Sequence, residues 1–214
     1  AVMVLFLFVV MMLDINLDSM RKGFWKHFPL AGAAGAIIAL EMSYVLMGGF
    51  RLTEASAILK YLADRFDSPA YPKDLRERAR VNEMMDWINT QLARDLAYGT
   101  VYPQILPNHK RPSEEAQRVT VAWGQERARR WMAVLDQRLL GSGQDYLCGD
   151  RLTIADYYGA SFVHLAEVVG SDLSAYPNVK RWLDRMKARP SWSKVFAAIE
   201  SFAKQLPQGQ LATV

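Results

Sequence analysis

The residues able to do chemistry in this chain are few, and most of them are scattered. A single cysteine, Cys148, leaves no partner for an intramolecular disulfide and permits a reducing compartment. It is expected to be a buried, inert thiol rather than a nucleophile. The three histidines, His27, His109 and His164, lie far apart with no ligand spacing, so no metal site is expected. Two short basic clusters, His109-Lys110-Arg111 and Arg127-Ala128-Arg129-Arg130, could point to nucleic acid. The second is interleaved with apolar positions at helical spacing, and both read better as solvated faces, so no nucleic-acid partner is expected. Two segments have spacing with a definite physical meaning. In Thr153-Ile154-Ala155-Asp156 a hydroxyl and a carboxylate stand three residues apart, the spacing of a capping box at a helix start. In Thr53-Glu54-Ala55-Ser56 polar residues open an apolar run. There they either cap a helix or, together with its unpaired N–H groups, hold a carboxylate.

These residues need elements to position them, and the chain supplies two kinds. Up to about residue 67 the apolar runs are short and punctuated by glycine, with Gly48-Gly49 reading as a hairpin turn. Asp67-Ser68-Pro69-Ala70-Tyr71-Pro72 is a linker, because two prolines within four residues block a continuous helix. Beyond it amphipathic helices dominate. Val81, Met84, Met85, Ile88, Leu92 and Leu96 recur at helical spacing, and Gly99 and Pro103 are expected to interrupt that helix. A second helix is predicted from about Pro112, with Ser113 or its neighbours as cap, to Leu140, closed by Gly141-Ser142-Gly143, and a third from Thr153. Pro177 suits the first turn of a fourth that ends before Pro190, and a fifth spans about 192–205. The tail after Pro207 is expected to be loose. The opening run Ala1–Leu13 is apolar, but 13 residues are too few to cross a bilayer as a helix, which takes about 20. A net charge of +4, 51% hydrophobic residues and 22% charged residues describe an ordinary folded chain with no membrane anchor implied.

Two motifs carry a family resemblance. Leu52-Thr53-Glu54-Ala55-Ser56-Ala57-Ile58-Leu59 resembles the segment of cytosolic glutathione transferases in which the last strand of a thioredoxin-like sheet feeds a helix. Leu147-Cys148-Gly149-Asp150-Arg151-Leu152-Thr153-Ile154-Ala155-Asp156 is similar to the Gly-Asp-x-x-Ser/Thr-x-Ala-Asp segment of the same family. The spacing between them, with Pro72 and the Arg-rich start Arg76–Arg80, fits bacterial and theta-like members. The resemblance implies an α/β thioredoxin-like N-terminal lobe, here truncated or aberrant, followed by an all-α C-terminal helical bundle. The divisions it implies are residues 1–66 as the glutathione-binding domain, 67–75 as linker and 76–214 as the helical domain. It further implies that Glu54, Ala55 and Ser56 hold the γ-glutamyl end of glutathione, with Ile37 and Ile38 beside its cysteinyl part and Lys26 and His27 near its glycyl carboxylate. Met85, Tyr98, Tyr102 and Ile105 are the residues implied for the second-substrate pocket. The activity implied is conjugation of the glutathione thiolate to an electrophilic, mostly apolar small molecule, in a cytoplasmic detoxifying homodimer. Glutathione would be the co-substrate, with no metal.

The same comparison exposes departures. Ala55 stands where the family has a serine, so a backbone donor is kept and a hydroxyl lost. Ile38 stands where the family has a cis proline, and a cis bond before a non-proline residue costs roughly 2.5–4 kcal/mol, so that turn is expected to be trans or rebuilt. The family activates the thiol through a Ser, Tyr or Cys after the first strand, yet none occurs before Ser19. Strand, loop, helix and strand need about 40 residues at ordinary element lengths, and only 18 precede Ser19. The thiol-activating residue is therefore not assigned. A non-catalytic, transferase-like module for dimerisation or assembly is the alternative reading, and a glutathione-dependent reductase a third, disfavoured by the lack of an N-terminal cysteine.

Overall fold

The structure is a computed structural model, and it describes residues 50, 52–141, 143–207 and 209–214. Of the 1–66 region read as a thioredoxin-like lobe, residues 1–49 and 51 lie outside the described residues, and with them the hairpin turn at Gly48-Gly49. Among the described residues there is no strand, only an isolated antiparallel bridge between Tyr146 and Gly149. Helix α1 (Ala55–Arg65) stands at the start of the described chain. Then come α2 (Leu75–Trp87), a π-helical stretch (Ile88–Val101) and the single turn α3 (Tyr102–Ile105). The long α4 (Glu114–Val134) winds on as a second π-helical stretch (Leu135–Leu139). Helices α5 (Ile154–Val168), α6 (Pro177–Lys187) and α7 (Trp192–Ala203) complete the bundle. None of these is long and apolar enough to cross a membrane.

Local chemistry sets the helix starts. Asp74 accepts the N–H groups of Arg76 and Glu77, each at 3.0 Å, and Ser113 accepts that of Ala116 at 3.2 Å. Thr153 and Asp156 form the expected capping box. The Asp156 carboxylate, fully buried, takes the Thr153 N–H at 2.8 Å and its hydroxyl at 2.9 Å. It also takes the Leu147 N–H at 2.8 Å and the Trp182 indole at 3.0 Å. One side chain thus ties the 147–153 loop, the start of α5 and the middle of α6 together. Pro177 opens α6, where its missing N–H costs nothing.

The expected interruption at Gly99 does not occur. Backbone winding continues from α2 through Gly99 to Ile105, with Pro103 in the first turn of α3. Gly99 instead serves the crossing with α4. A Cβ placed on Gly124 would lie 2.4 Å from the Gly99 carbonyl carbon and 2.5 Å from its oxygen. The two glycines let backbone touch backbone, so their role is close approach rather than termination.

Beside that crossing lies a charge cluster. Asp95, 5% exposed, accepts from Arg94 (3.0 and 2.8 Å), from Arg127 of α4 (3.0 Å) and from the Trp131 indole (2.7 Å). Burial alone would raise its pKa, but the bonds from Arg94, Trp131 and Arg127 outweigh it and hold the carboxyl below its ordinary value. A carboxylate held lower in the folded than in the unfolded state stabilises the fold above the unfolded pKa and loses that contribution as pH falls through the folded one. Asp95→Asn is therefore expected to be less stable than the parent at pH 7, with the gap narrowing below about pH 4. Urea melts of both proteins at pH 7 and pH 3 check this, and a gap independent of pH would count against it.

The tail is not loose. Residues 211–214 are half-buried, and Leu211 and Val214 pack against the core. The Gln104 carboxamide brackets Ala212, accepting its N–H at 2.7 Å and donating to its carbonyl at 3.2 Å. Gln125 and Arg129 of α4 donate to the Thr213 carbonyl at 2.5 and 3.2 Å, and Val214 N–H donates to the Ser171 hydroxyl at 3.1 Å. Backbone bonds made by glutamine, arginine and serine side chains carry no hydrophobic pattern, which is why composition pointed the other way.

Candidate functional site

The start of α1 is the first part of the site. Glu54 occupies the N-cap in extended conformation (φ −87°, ψ 123°), and its side chain makes no capping bond. The first intrahelical bond runs from Ile58 N–H to the Glu54 carbonyl at 3.0 Å. The N–H groups of Ala55, Ser56 and Ala57 therefore have no acceptor within the helix, and they sit at its electropositive end. Glu54 is exposed, with Ala55 and Ser56 half-buried. Among the described residues no group pairs with that carboxylate, which stands at the mouth of a ready-made donor set, a pairing that suits an amino group beside a carboxylate.

Several contacts hold that helix end in position. Leu59 and Ala63 join the main core, while Ile58 and Leu62 form a second apolar cluster with Leu52, Ala55 and Tyr61. At the other end of α1, Arg78 acts as a staple. It bonds Asp64 at 2.9 Å and the Pro72 carbonyl at 2.7 Å, with its guanidinium 4.3 Å from the centre of the Tyr71 ring. Ile154 N–H donates to the Ala70 carbonyl at 2.9 Å, fixing the 67–74 segment to the start of α5. Lys60 and Asp86 lie 3.9 Å apart across α1 and α2, a solvated pair worth little energy.

Tyrosines make up the second part. Tyr98 is 41% exposed, whereas Tyr102 is buried. Their rings meet edge to face at 5.0 Å, and His109 leans on both, at 5.7 and 5.2 Å. Burial, then the neighbouring Tyr98 and Tyr158, push the Tyr102 phenol far above its ordinary pKa. Tyr158, whose hydroxyl donates to Asn89 at 3.0 Å, is raised likewise. Burial is the largest cause there, followed by Tyr98 and by the negative charges of Glu54 and Asp86. Helix α1, which Glu54 opens, packs against α5, which carries Tyr158. Both buried phenols stay protonated around neutrality, so they can donate a hydrogen bond but not remove a proton. Burial, with the Arg111 charge adding, lowers His109 and favours its neutral form.

Of the residues implied for glutathione, Glu54, Ala55 and Ser56 come together at one helix end. Lys26, His27, Ile37 and Ile38 lie outside the described residues. Of those implied for the second substrate, Tyr98 and Tyr102 touch, Ile105 packs half-buried against the core, and Met85 is fully buried within it. Tyr158 and His109 carry no site signal in the sequence, where each is part of a stripe or a charge run; only the fold brings His109 against Tyr98 and the Tyr158 hydroxyl to Asn89. Cys148 is half-buried on the rim of a separate cavity of about 410 Å³ shared with Pro69, Arg76, Arg80 and Arg151. Burial raises its thiol to about 11, which leaves it a poor nucleophile. Among the described residues no cluster could hold a metal ion.

Comparison with known proteins identifies the scaffold. Residues 102–190 match the family model "Glutathione S-transferase, C-terminal domain". Glutathione S-transferase D7 of Drosophila melanogaster is 32% identical over 176 residues, which cover 77% of this chain and 70% of that protein. The chain belongs to the glutathione S-transferase family. By that membership it is a glutathione transferase enzyme. A theta class glutathione S-transferase from Xanthomonas axonopodis pv. citri, solved with glutathione bound, is 27% identical with a TM-score of 0.56. The match covers 69% of this chain and 68% of that one. Glutathione S-transferase-I, solved with lactoylglutathione, is 29% identical with a TM-score of 0.59, covering 71% of each chain. Of the tyrosine wall, Tyr102 and Tyr158 lie within the matched stretch and Tyr98 just before it.

Proposed function

We propose that this enzyme docks the amino-acid head of glutathione on the start of α1 and conjugates its thiolate to an electrophilic, mostly apolar molecule lying against the Tyr98 ring. The observation that carries this reading is the free Glu54 carboxylate beside unpaired helix N–H groups. An α-amino group would pair with Glu54, and the α-carboxylate would take the backbone donors of Ala55 and Ser56. Ala55 offers no hydroxyl, so the backbone carries that contact alone. Tyr98 and Tyr102 offer an aromatic edge to the second substrate, and Met85 acts from behind, as core packing.

The further features follow the family. The chain works in the cytoplasm as a homodimer in detoxification, similar in character to bacterial and theta-like members, with residues 1–66 as the glutathione domain, 67–75 as linker and 76–214 as the helical domain. Glutathione bound in the theta class relative supports its role here as co-substrate.

Isothermal calorimetry with the full chain tests the docking point. Glu54→Ala is expected to raise the glutathione Kd roughly 10- to 100-fold, the equivalent of about 1.5–3 kcal/mol for hydrogen bonds to a charged group. A chromogenic conjugation assay on the same samples reads turnover. Absence of binding heat in the parent protein would sink the proposal, and binding without turnover would remove its catalytic half.

A further inference from the structure

The docked 209–214 segment reaches the tyrosine wall through one side chain. Gln104 lies in the single turn α3, between Tyr102 and Ile105. Its carboxamide is fully committed: it brackets the Ala212 backbone from both sides and also donates to the Thr100 carbonyl at 2.9 Å. As the last turn of the continuous winding from α2, α3 ends in carbonyls that have no partner within the helix, and its free end is held by side chains from elsewhere. Two outside holds are present. The Gln117 carboxamide donates to the Pro103 carbonyl at 2.6 Å, and the 209–214 segment grips Gln104. That segment is anchored in turn on α4 by Gln125 and Arg129 and on the turn after α5 by Ser171. Leu211 adds an apolar plug and forms one wall of a cavity of about 430 Å³ that also borders Pro103 and Gln104.

We infer that residues 209–214 are a brace for second-substrate binding: through Gln104 they set the pose of α3, and with it the Tyr102 ring on which Tyr98 and His109 lean. Among the described residues the segment's hydrogen bonds go to Gln104, Gln125, Arg129 and Ser171 and not to Tyr98 or Glu54, so it acts by positioning. This rests on the reading of Tyr98 as the electrophile wall, and it assigns a determinant of that site to residues more than a hundred positions away in sequence. Glutathione docking at α1 has no contact with the brace and stays independent of it.

Two variants of the full chain separate the brace from local effects. Gln104→Met keeps the side-chain volume while removing the bonds to Ala212 and Thr100. Deletion of 209–214 removes the brace and leaves the Thr100 bond in place. Both are expected to raise KM for a chromogenic aromatic electrophile roughly five- to tenfold, as misplacement of a binding wall does, while KM for glutathione changes less than about twofold. The His109 imidazole proton resonance, assigned with His109→Asn, is expected to move in both variants as the Tyr102 ring shifts against it. Unchanged electrophile KM and an unmoved His109 signal in the deletion variant would overturn the brace. A change in Gln104→Met alone would do the same, since it would assign the effect to Thr100. If the parent protein showed no conjugation at all, the proposed function would fail, yet the His109 resonance would still decide whether the segment sets the ring cluster.

Discussion

Asp156→Ala is expected to lose about 4 kcal/mol of stability, roughly 8–16 °C in melting temperature for a chain of this size. The reason lies in what the carboxylate leaves behind. Removing it strands the N–H groups of Leu147 and Thr153 and the Trp182 indole, all buried, each costing about 1–3 kcal/mol without a partner before local relaxation recovers part of the loss. Thr153→Ala removes only a hydroxyl that donates to the same carboxylate, and the typical cost of losing a cap is about 1 kcal/mol. Thermal and urea melts of the two variants should therefore differ severalfold in effect. Equal losses would mean that Asp156 is a helix cap and nothing more, and that its bonds to the loop and to α6 contribute little.

Gly124→Ala carries the second large effect, and its sign is diagnostic. In a helix interior, glycine to alanine normally stabilises by about 1 kcal/mol. Here the new methyl would sit 2.4 Å from the carbonyl carbon of Gly99, against backbone that cannot swing aside. Helix α4 would have to move off the π-helical stretch, opening the packing around Leu96 and Ala128 and stretching the Asp95–Arg127 bond. A loss of about 3 kcal/mol or more is expected, at or above the upper end for overpacking in a core. Gly99→Ala should cost less, because its methyl would meet the Gly124 Cα at 3.1 Å and the Arg94 carbonyl at 3.4 Å, contacts that a small shift relieves. Chemical denaturation with circular dichroism detection measures both. A stabilised Gly124→Ala variant would show that the crossing is looser than described.

These two sites also mark what the sequence can and cannot convey. The capping box at Thr153 and Asp156 was readable because it is local: two polar residues at fixed spacing before an apolar stripe. Ser113 and Pro177 were readable for the same reason. The apolar period of α2, α4 and α5 gave the bundle, since one face of each must be buried. Gly99 misled because glycine has two uses, and a breaker and a close-contact residue look alike until the partner helix is known. Nothing local marks Gly124 as that partner. Asp95 likewise reads as one more charge on a helix, and only the crossing brings Arg127 and Trp131 to it. The tail reads as loose in the sequence because its anchors are distant polar side chains gripping main chain. At the site, Glu54 and its neighbours were found through a motif, whereas Tyr158 and His109 depend on tertiary packing that no spacing rule encodes.

Cys148 has a practical corollary. It is the chain's sole sulfhydryl, its Sγ points to the Arg80 carbonyl at 3.9 Å, and its pKa of about 11 leaves on the order of one thiolate in 4,000 at pH 7.4, against roughly one in ten for an exposed thiol. An alkylating reagent added to native protein is therefore expected to react slowly at the cavity rim. Faster labelling in Asp156→Ala, which no longer holds the Leu147 amide, would report a loosened 147–150 loop without introducing a foreign probe.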